Sequence, residues 1–384
     1  MVIVGGGIIG CACAFELAGL GLKVTLLERD ELAAGASGRN QGLFGIPADP
    51  ALAEMARSGL AVYRDEVVET SAVPVAFDRE PIGELMLAVE DDQVEALRAH
   101  VEEKRAIGID GERLDDAQLA ELEPAVARDL AEAWLLPDVR RMDPGALTVA
   151  LATLARERGA EIRHHVNARG LVPAGDGVGG VATDDGVIAA ETVIVAAGPW
   201  SPQLLRPVGI DLPLRPSRGW LVRLAARPNL LNTLVNEYGP DYDHEEPIVR
   251  TGMLARGDLP EPDVGALAHQ APDGDVFAGA SHSTAIGPEP EDPRVPRMIL
   301  ERAIRVVPAL ADLPVRQTWW GIRPMSPDDR PMIGRVREGL LVATGHGPEG
   351  VLLGAGTAKL VASLISGGEP PFDPEPFDPG RFAR

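Results

Sequence analysis

The sequence predicts an α/β fold organised around a Rossmann-like unit at its start. Three observations carry that expectation. An apolar run, Val2-Ile3-Val4, reads as a buried strand. Gly5, Gly7 and Gly10 follow in the order G-x-G-x-x-G and open a helix-length segment of small residues, 11–20. A second apolar run, 24–27, ends in an acid, Glu28. Gly5 permits the tight turn, Gly7 lets the backbone approach a pyrophosphate, and Gly10 lets the helix pack close to the strand. The helix start offers free N–H groups and a positive dipole end to phosphates. Glu28 suits a ribose diol, and Gly21 suits a helix C-cap.

The 384 residues suffice for two domains or one large α/β body, and 45% hydrophobic content supports a core. A net charge of -22 argues against nucleic acid or an anionic membrane as partner. The two cysteines, Cys11 and Cys13, lie two apart on one helix and do not face each other. Neither a disulfide nor a metal site is expected. No signal peptide is recognised and no apolar run has the length of a membrane helix, so a soluble cytoplasmic protein with no membrane span is the expectation.

In chain order, residues 29–45 form a polar loop holding Gly35, Ser37, Gly38, Arg39, Asn40, Gln41 and Gly42. Such a loop at the C-terminal edge of a parallel sheet is a place for a ligand. Residues 49–69 read as an amphipathic helix with Leu52, Met55, Leu60 and Val67 toward the core. A strand is expected over 83–89, then helices over 91–108 and 114–122 whose acids form a solvated face. Asp143 caps a helix that begins with Pro144 and is stopped by Gly159. Residues 161–165 read as a strand, which sends His164 and His165 to opposite faces, poor geometry for joint metal binding. A hairpin is expected from 178–183 and 186–190.

Residues 192–197 read as a buried strand ending in Gly198-Pro199-Trp200. Residues 212–219 read as an irregular crossing between domains, and 220–225 and 275–281 as strands. Between those strands the Pro-, Gly- and acid-rich stretch 239–274 reads as a long loop with short strands. A helix over 293–307 follows, then a strand over 340–343. That strand runs into Thr344-Gly345-His346-Gly347-Pro348-Glu349-Gly350 and a last helix, 351–365. The Pro-rich tail, 367–384, is expected to lie extended on the surface.

Glycine-bearing strand ends thus occur three times: near Gly5, at Gly198, and from Gly345 to Gly350. Together with GGGIIG and Glu28, the segments ASGRNQG (36–42), VIVAAGPWS (193–201), GIRPMSPDDRPMIG (321–334) and ATGHGPEGVLL (343–353) resemble the flavin-dependent D-amino acid oxidase superfamily. The resemblance is strongest to its glycine oxidase and sarcosine oxidase branch, with opine and hydroxyproline dehydrogenase flavin subunits beside it. It covers nearly the whole chain. Residues 50–140 and 225–315, where such proteins usually choose the substrate, match weakly.

The resemblance implies a discontinuous Rossmann-like FAD-binding domain from 1–78, 143–214 and 319–384. It implies an antiparallel-sheet substrate domain from 79–142 and 215–318. Gly5, Gly7, Ile8, Ile9, Gly10, Glu28 and Arg29 are implied to hold the ADP half of FAD. Ala36, Ser37, Asn40, Gln41, Gly42 and Leu43 are implied along the pyrophosphate and flavin, and Ala168 beside the adenine. Gly198 and Trp200 are implied to line the ribityl and ring region. Gly345, Gly347, Pro348, Glu349, Gly350, Val351 and Leu352 are implied to close over one edge of the flavin. Gly321 stands where sarcosine oxidases attach flavin through a nearby cysteine. No cysteine follows Cys13, so FAD is expected to be non-covalent.

Arg323 is implied to pair with a substrate carboxylate, for which its fork of donors is suited. Pro348 stands where some relatives carry a side chain that reaches the substrate. Tyr238, Tyr242, His282 and Ser283 are the remaining pocket candidates, and of these His282 is expected in the catalytic site. The implied activity is oxidation of the C–N bond of a small amino acid or secondary amine, giving an imine that hydrolyses. Electrons pass to oxygen or to a protein or quinone acceptor. Two other readings stay open at this point. One is the flavin subunit of a multi-chain opine, hydroxyproline or glycine dehydrogenase; the other is a non-catalytic FAD-binding regulatory protein.

Overall fold

The computed structural model describes residues 1–238, 263–283 and 294–382. Among these, two sheets organise the chain. The first has six strands in the order Met332–Arg337, Leu340–Thr344, Val193–Val195, Val2–Val4, Thr25–Leu27, Glu161–Arg163. The last five run parallel, and Met332–Arg337 is an antiparallel edge. Val2–Val4 is central and covered on both faces, which is why it is an unbroken apolar run. Ile3, Leu26, Ile194 and Leu341 face a core shared with helices Ile8–Gly19, Pro144–Glu157 and Gly350–Ser366. Val2, Val4, Leu27, Val193 and Val195 face the other way, onto a meander of Ala168–Ala174, Gly177–Thr183 and Gly186–Ala189.

The second sheet has eight strands, from Val315–Met325 through Arg215–Leu224, Val276–His282, Asp263–Gln270, Leu234–Glu237, Glu84–Ala88 and Glu132–Leu136 to Glu112–Arg113. Every pairing is antiparallel except Leu234–Glu237 with Glu84–Ala88. Helix Arg294–Val306 covers one face. Met86 and Leu136 on the other face join the core of the first layer.

Several expectations need correction. The first helix starts at Ile8, three residues before the expected Cys11, and so begins directly on Gly7. Residues 212–219 are not an irregular crossing: from Arg215 they belong to the long strand paired with Val315–Met325. Its register sets Pro216 opposite Pro324, so two missing N–H donors fall on one rung. The strands Glu132–Leu136, Ala168–Ala174, Leu234–Glu237 and Met332–Arg337 were not expected from the sequence, whereas Asp263–Gln270 falls in the stretch expected to hold short strands. Of the stretch 239–274, residues 239–262 and with them Tyr242 lie outside the described residues, as does Pro293.

The strand Glu161–Arg163 stops before the histidines, and His165 takes φ 56. Both rings therefore lie near Glu31, at 3.5 and 3.1 Å, rather than on opposite faces. The tail is not merely extended. Phe372 and Phe377 are buried edge-to-face at 5.8 Å, and Arg381 pairs with Asp328. One helical stretch, Gly347–Ser366, does reach the length and hydropathy of a membrane span, against expectation. Its buried residues belong to the core shared with Ile8–Gly19 and Pro50–Val62.

Candidate active site

The C-terminal ends of Val2–Val4, Val193–Val195 and Leu340–Thr344 open on one cleft of about 780 Å³. Gly5 turns with φ 115 where a side chain would collide with the Ala196 carbonyl, so two strand ends touch backbone to backbone. A Cβ on Gly10 would strike the Gly5 carbonyl, which fixes how closely helix and strand pack. The helix Ile8–Gly19 has no side-chain cap of its own. Ser37, from the polar loop, accepts the Ile8 N–H at 2.9 Å instead. The helix Gly350–Ser366 also lacks a side-chain cap, and Gly347, Pro348, Gly350 and Val351 line the cleft at its start. Two helix N-termini thus converge on one space, an arrangement that favours negative charge.

At one end, the Glu28 carboxylate accepts the Gly6 N–H at 2.6 Å and the Asp30 N–H at 2.8 Å. A carboxylate has about four acceptor positions, so capacity is left for a ligand diol. The Arg29 guanidinium lies 4.2 Å over the Trp200 ring. Val166 donates to the Glu28 carbonyl, which brings Asn167 and Ala168 to the same end. Trp200 therefore sits at the Glu28 end of the cleft, under Arg29.

At the other end, Trp320, Gly321, Ile322 and Arg323 line the cleft from the strand Val315–Met325. Arg323 donates to the Ser281 carbonyl at 3.1 Å. Its guanidinium lies flat against Gly219, where any Cβ would collide with it. Gly219 is thus a site residue that sequence reasoning missed; a glycine inside the strand-like run SRGWLV was the available signal. Arg39 was also missed as a wall residue. It donates to the Ala34 carbonyl at 2.8 Å and to the Trp320 carbonyl at 3.3 Å, and accepts the Trp319 indole N–H at 3.0 Å. Gly321 allows this contact, since a Cβ there would come 3.2 Å from the Arg39 Cβ.

Most of the expected residues meet at this cleft: Gly5, Gly7, Ile8, Ile9, Glu28, Arg29, Ala36, Ser37, Asn40, Ala168, Gly198, Trp200, Gly321, Arg323, Gly347, Pro348, Gly350 and Val351. Asn40 lines it while its amide holds the loop, donating to the Ala36 and Ser37 carbonyls and accepting from Gly42. Gly10, Gln41, Gly42, Leu43, Gly345, Glu349, Leu352 and His282 do not line it. Gly10 and Gly42 serve packing behind the wall: a Cβ on Gly42 would strike the Met142 carbonyl. The Gln41 amide reaches over Gly279 on the second sheet, and Leu352 is in the core. His282 closes its strand, half-buried, away from the cleft lining. His346 lines the cleft unforeseen. Its Nε2 lies 2.9 Å from Thr357 Oγ1, and burial depresses its pKa to about 3, so the ring is neutral. Among the described residues no group of three or more His, Cys, Asp or Glu is placed to hold a metal.

This lining fits a dinucleotide: a glycine cradle, two helix starts whose own N-cap residues make no side-chain cap, an acid at a strand tip, and an arginine at the far end. Comparison with known proteins agrees. A family model described as FAD dependent oxidoreductase matches residues 1–364. The glycine oxidase of Pseudomonas aeruginosa is 30% identical over 393 residues, spanning 99% of this chain and 98% of its own. The 4-methylaminobutanoate oxidase (formaldehyde-forming) of Paenarthrobacter nicotinovorans is 32% identical across 100% of this chain, which spans only 45% of that longer protein. The solved structure of glycine oxidase from Geobacillus kaustophilus superimposes with a TM-score of 0.84 at 27% identity, covering 98% of this chain and 97% of that one.

Proposed function

The chain belongs to the FAD-dependent oxidoreductase family, and from that premise we propose that it oxidises the C–N bond of a small amino acid or secondary amine. Glycine, a D-amino acid or an N-substituted amino acid is the substrate class, and oxygen or a protein or quinone acceptor is the final oxidant. The FAD-binding part is drawn from 1–78, 143–214 and 319–384, and the substrate-binding part from 79–142 and 215–318. Relatives named as oxidases of glycine and of a methylamino acid support this reading over a non-catalytic one.

Bound FAD supplies a two-electron acceptor for the carbon bearing nitrogen, leaving an imine that water hydrolyses. The chain's own residues bind and orient. Glu28 holds the ribose, and the amides at the starts of the two helices face the negative groups of the cofactor. Cys13 is the last cysteine of the chain, so the cofactor is held without a thioether. Arg323 anchors the substrate carboxylate and so fixes which C–H bond is presented.

The single observation that carries this reading is Arg323 laid on Gly219 in the same cleft as the glycine-rich end. Steady-state kinetics on an amino acid and the matching amine without its carboxylate test it. Arg323→Lys keeps the charge, loses the fork, and raises the Michaelis constant for the acid about tenfold. Arg323→Ala loses more and discriminates less between acid and amine. Equal losses on both substrates would assign Arg323 to the fold and widen the substrate class to amines.

A further inference from the structure

Tyr63 is fully buried and has no part in the chemistry above. It opens the π turn Tyr63–Val67, which interrupts the helical segment begun at Pro50. Single π turns are found mostly where a helix must re-aim a side chain, often at functional sites. Here the phenol reaches the last helix. Its hydroxyl accepts the Ala355 N–H at 3.0 Å and donates to the Val351 carbonyl at 2.9 Å. In an uninterrupted helix those two backbone groups, four residues apart, are each other's partners. The hydroxyl therefore bridges a rung of the helical ladder, one turn past the start that walls the cleft.

The surroundings accommodate this bridge. A Cβ on Gly354 would come 2.6 Å from the Tyr63 Oη and 3.0 Å from the Ile8 Cγ1. Ile8 is the first residue of the glycine-rich helix. One phenol thus stands beside both helices whose N-termini open on the cleft. Burial raises its pKa well above the ordinary phenol value, so it remains a hydroxyl with its donor and its acceptor both engaged.

We propose that Tyr63 is a positioning residue for the FAD cleft: its hydroxyl sets the first turn of the last helix, and with it the direction of the Gly347, Gly350 and Val351 N–H groups. This rests on the assignment of the cleft to FAD. Tyr63→Phe keeps the ring and removes only the hydroxyl. The measurements are the FAD dissociation constant of the reloaded apoprotein, the visible spectrum of the bound flavin, and the melting temperature of the apoprotein. The dissociation constant rises about five- to tenfold, the worth of one hydrogen bond, and the flavin bands shift. An unchanged dissociation constant and spectrum, whatever happens to the melting temperature, would mean that the phenol only packs, and would overturn the proposal. Gly354→Ala displaces the hydroxyl from the other side and gives the same changes if Tyr63→Phe does not fold; an unchanged Gly354→Ala protein likewise overturns it. Wild-type protein that takes up no FAD overturns the cleft assignment and this role together, whereas FAD uptake with unchanged variants overturns the role alone.

Discussion

Glu28 terminates its strand with both carboxylate oxygens on backbone N–H groups, those of Gly6 and Asp30. It organises the glycine turn as well as facing the cleft. Glu28→Ala is therefore expected to raise the FAD dissociation constant roughly ten- to a hundredfold, the loss of a charge-assisted bond. Titration of the apoprotein with FAD checks this, and wild-type affinity would make Glu28 a surface acid. This residue was legible in the sequence because its role depends on local order alone. Gly219 was not, because its role depends on an arginine 104 positions later in the chain, Arg323, whose side chain reaches it from the rung of Ser217, two residues along the paired strand. Charge state is likewise invisible in a sequence. His269 and His346 look like ordinary imidazoles, yet burial, aided at His269 by Arg141, depresses each pKa from 6.5 to about 3. Below pH 6.5 the unfolded chain takes up protons that the folded chain refuses until about pH 3. Their contribution to stability is thus complete above that upper value and is lost as the pH falls through the window. Glu84 and Glu16, whose pKa values burial raises, act in the opposite sense. His269→Phe removes one of the two sensitive groups while keeping the stacking on Phe277. Its melting temperature relative to wild type is expected to be markedly more favourable at about pH 5 than at about pH 7.5. The same difference at both values would show that the folded protein protonates His269 freely.

Helix caps were the most legible elements. Asp143 with Pro144 stands where the structure has it, accepting the Ala146 N–H, and the cap Asp49 makes to Ala51 and Leu52 lies at the start of the helix expected over 49–69. Edge strands were the least legible. Ala168–Ala174 carries Arg169, Gly170 and Pro173, and Met332–Arg337 carries Gly334 and two arginines. Both lie at the margin of a sheet, where one side needs no partner and the apolar alternation fades. Helix-to-helix distance was also hidden. The last helix meets Pro50–Val62 through Gly356, where a Cβ would strike the Met55 carbonyl and come 2.6 Å from its Cγ. Alanine there gains about 1 kcal/mol of helix propensity. Overpacking against a rigid carbonyl costs about 1–3 kcal/mol, and the second effect is expected to win. Gly356→Ala should therefore unfold at lower urea concentration than wild type. A stabilised variant would show that the two helices separate without cost and that glycine serves no close approach.

The molecule builds its cleft from sequence-distant parts: the first strand and loop, the strand ending at Gly198, the long strand of the second sheet, and the start of the last helix. Glycine-bearing strand ends announced the first, second and fourth of these, since a phosphate cradle requires small residues in fixed order. The second sheet was only half legible. Its strands Arg215–Leu224 and Val315–Met325 hold prolines, glycines and arginines, and the Arg323 side chain of one lies against Gly219 of the other. A pattern set by a close approach between distant residues resists reading from periodicity. The central claim is that the cleft joins an FAD end to a carboxylate anchor, and so removes two electrons from an amino acid. Anaerobic titration of the FAD-loaded protein with a panel of amino acids, N-methylated amino acids and the matching amines tests it most directly. The claim predicts that at least one carboxylate-bearing member reduces the flavin completely, and faster than its matching amine. Flavin that stays oxidised with every amino acid, yet is reduced by a substrate without nitrogen, would contradict it.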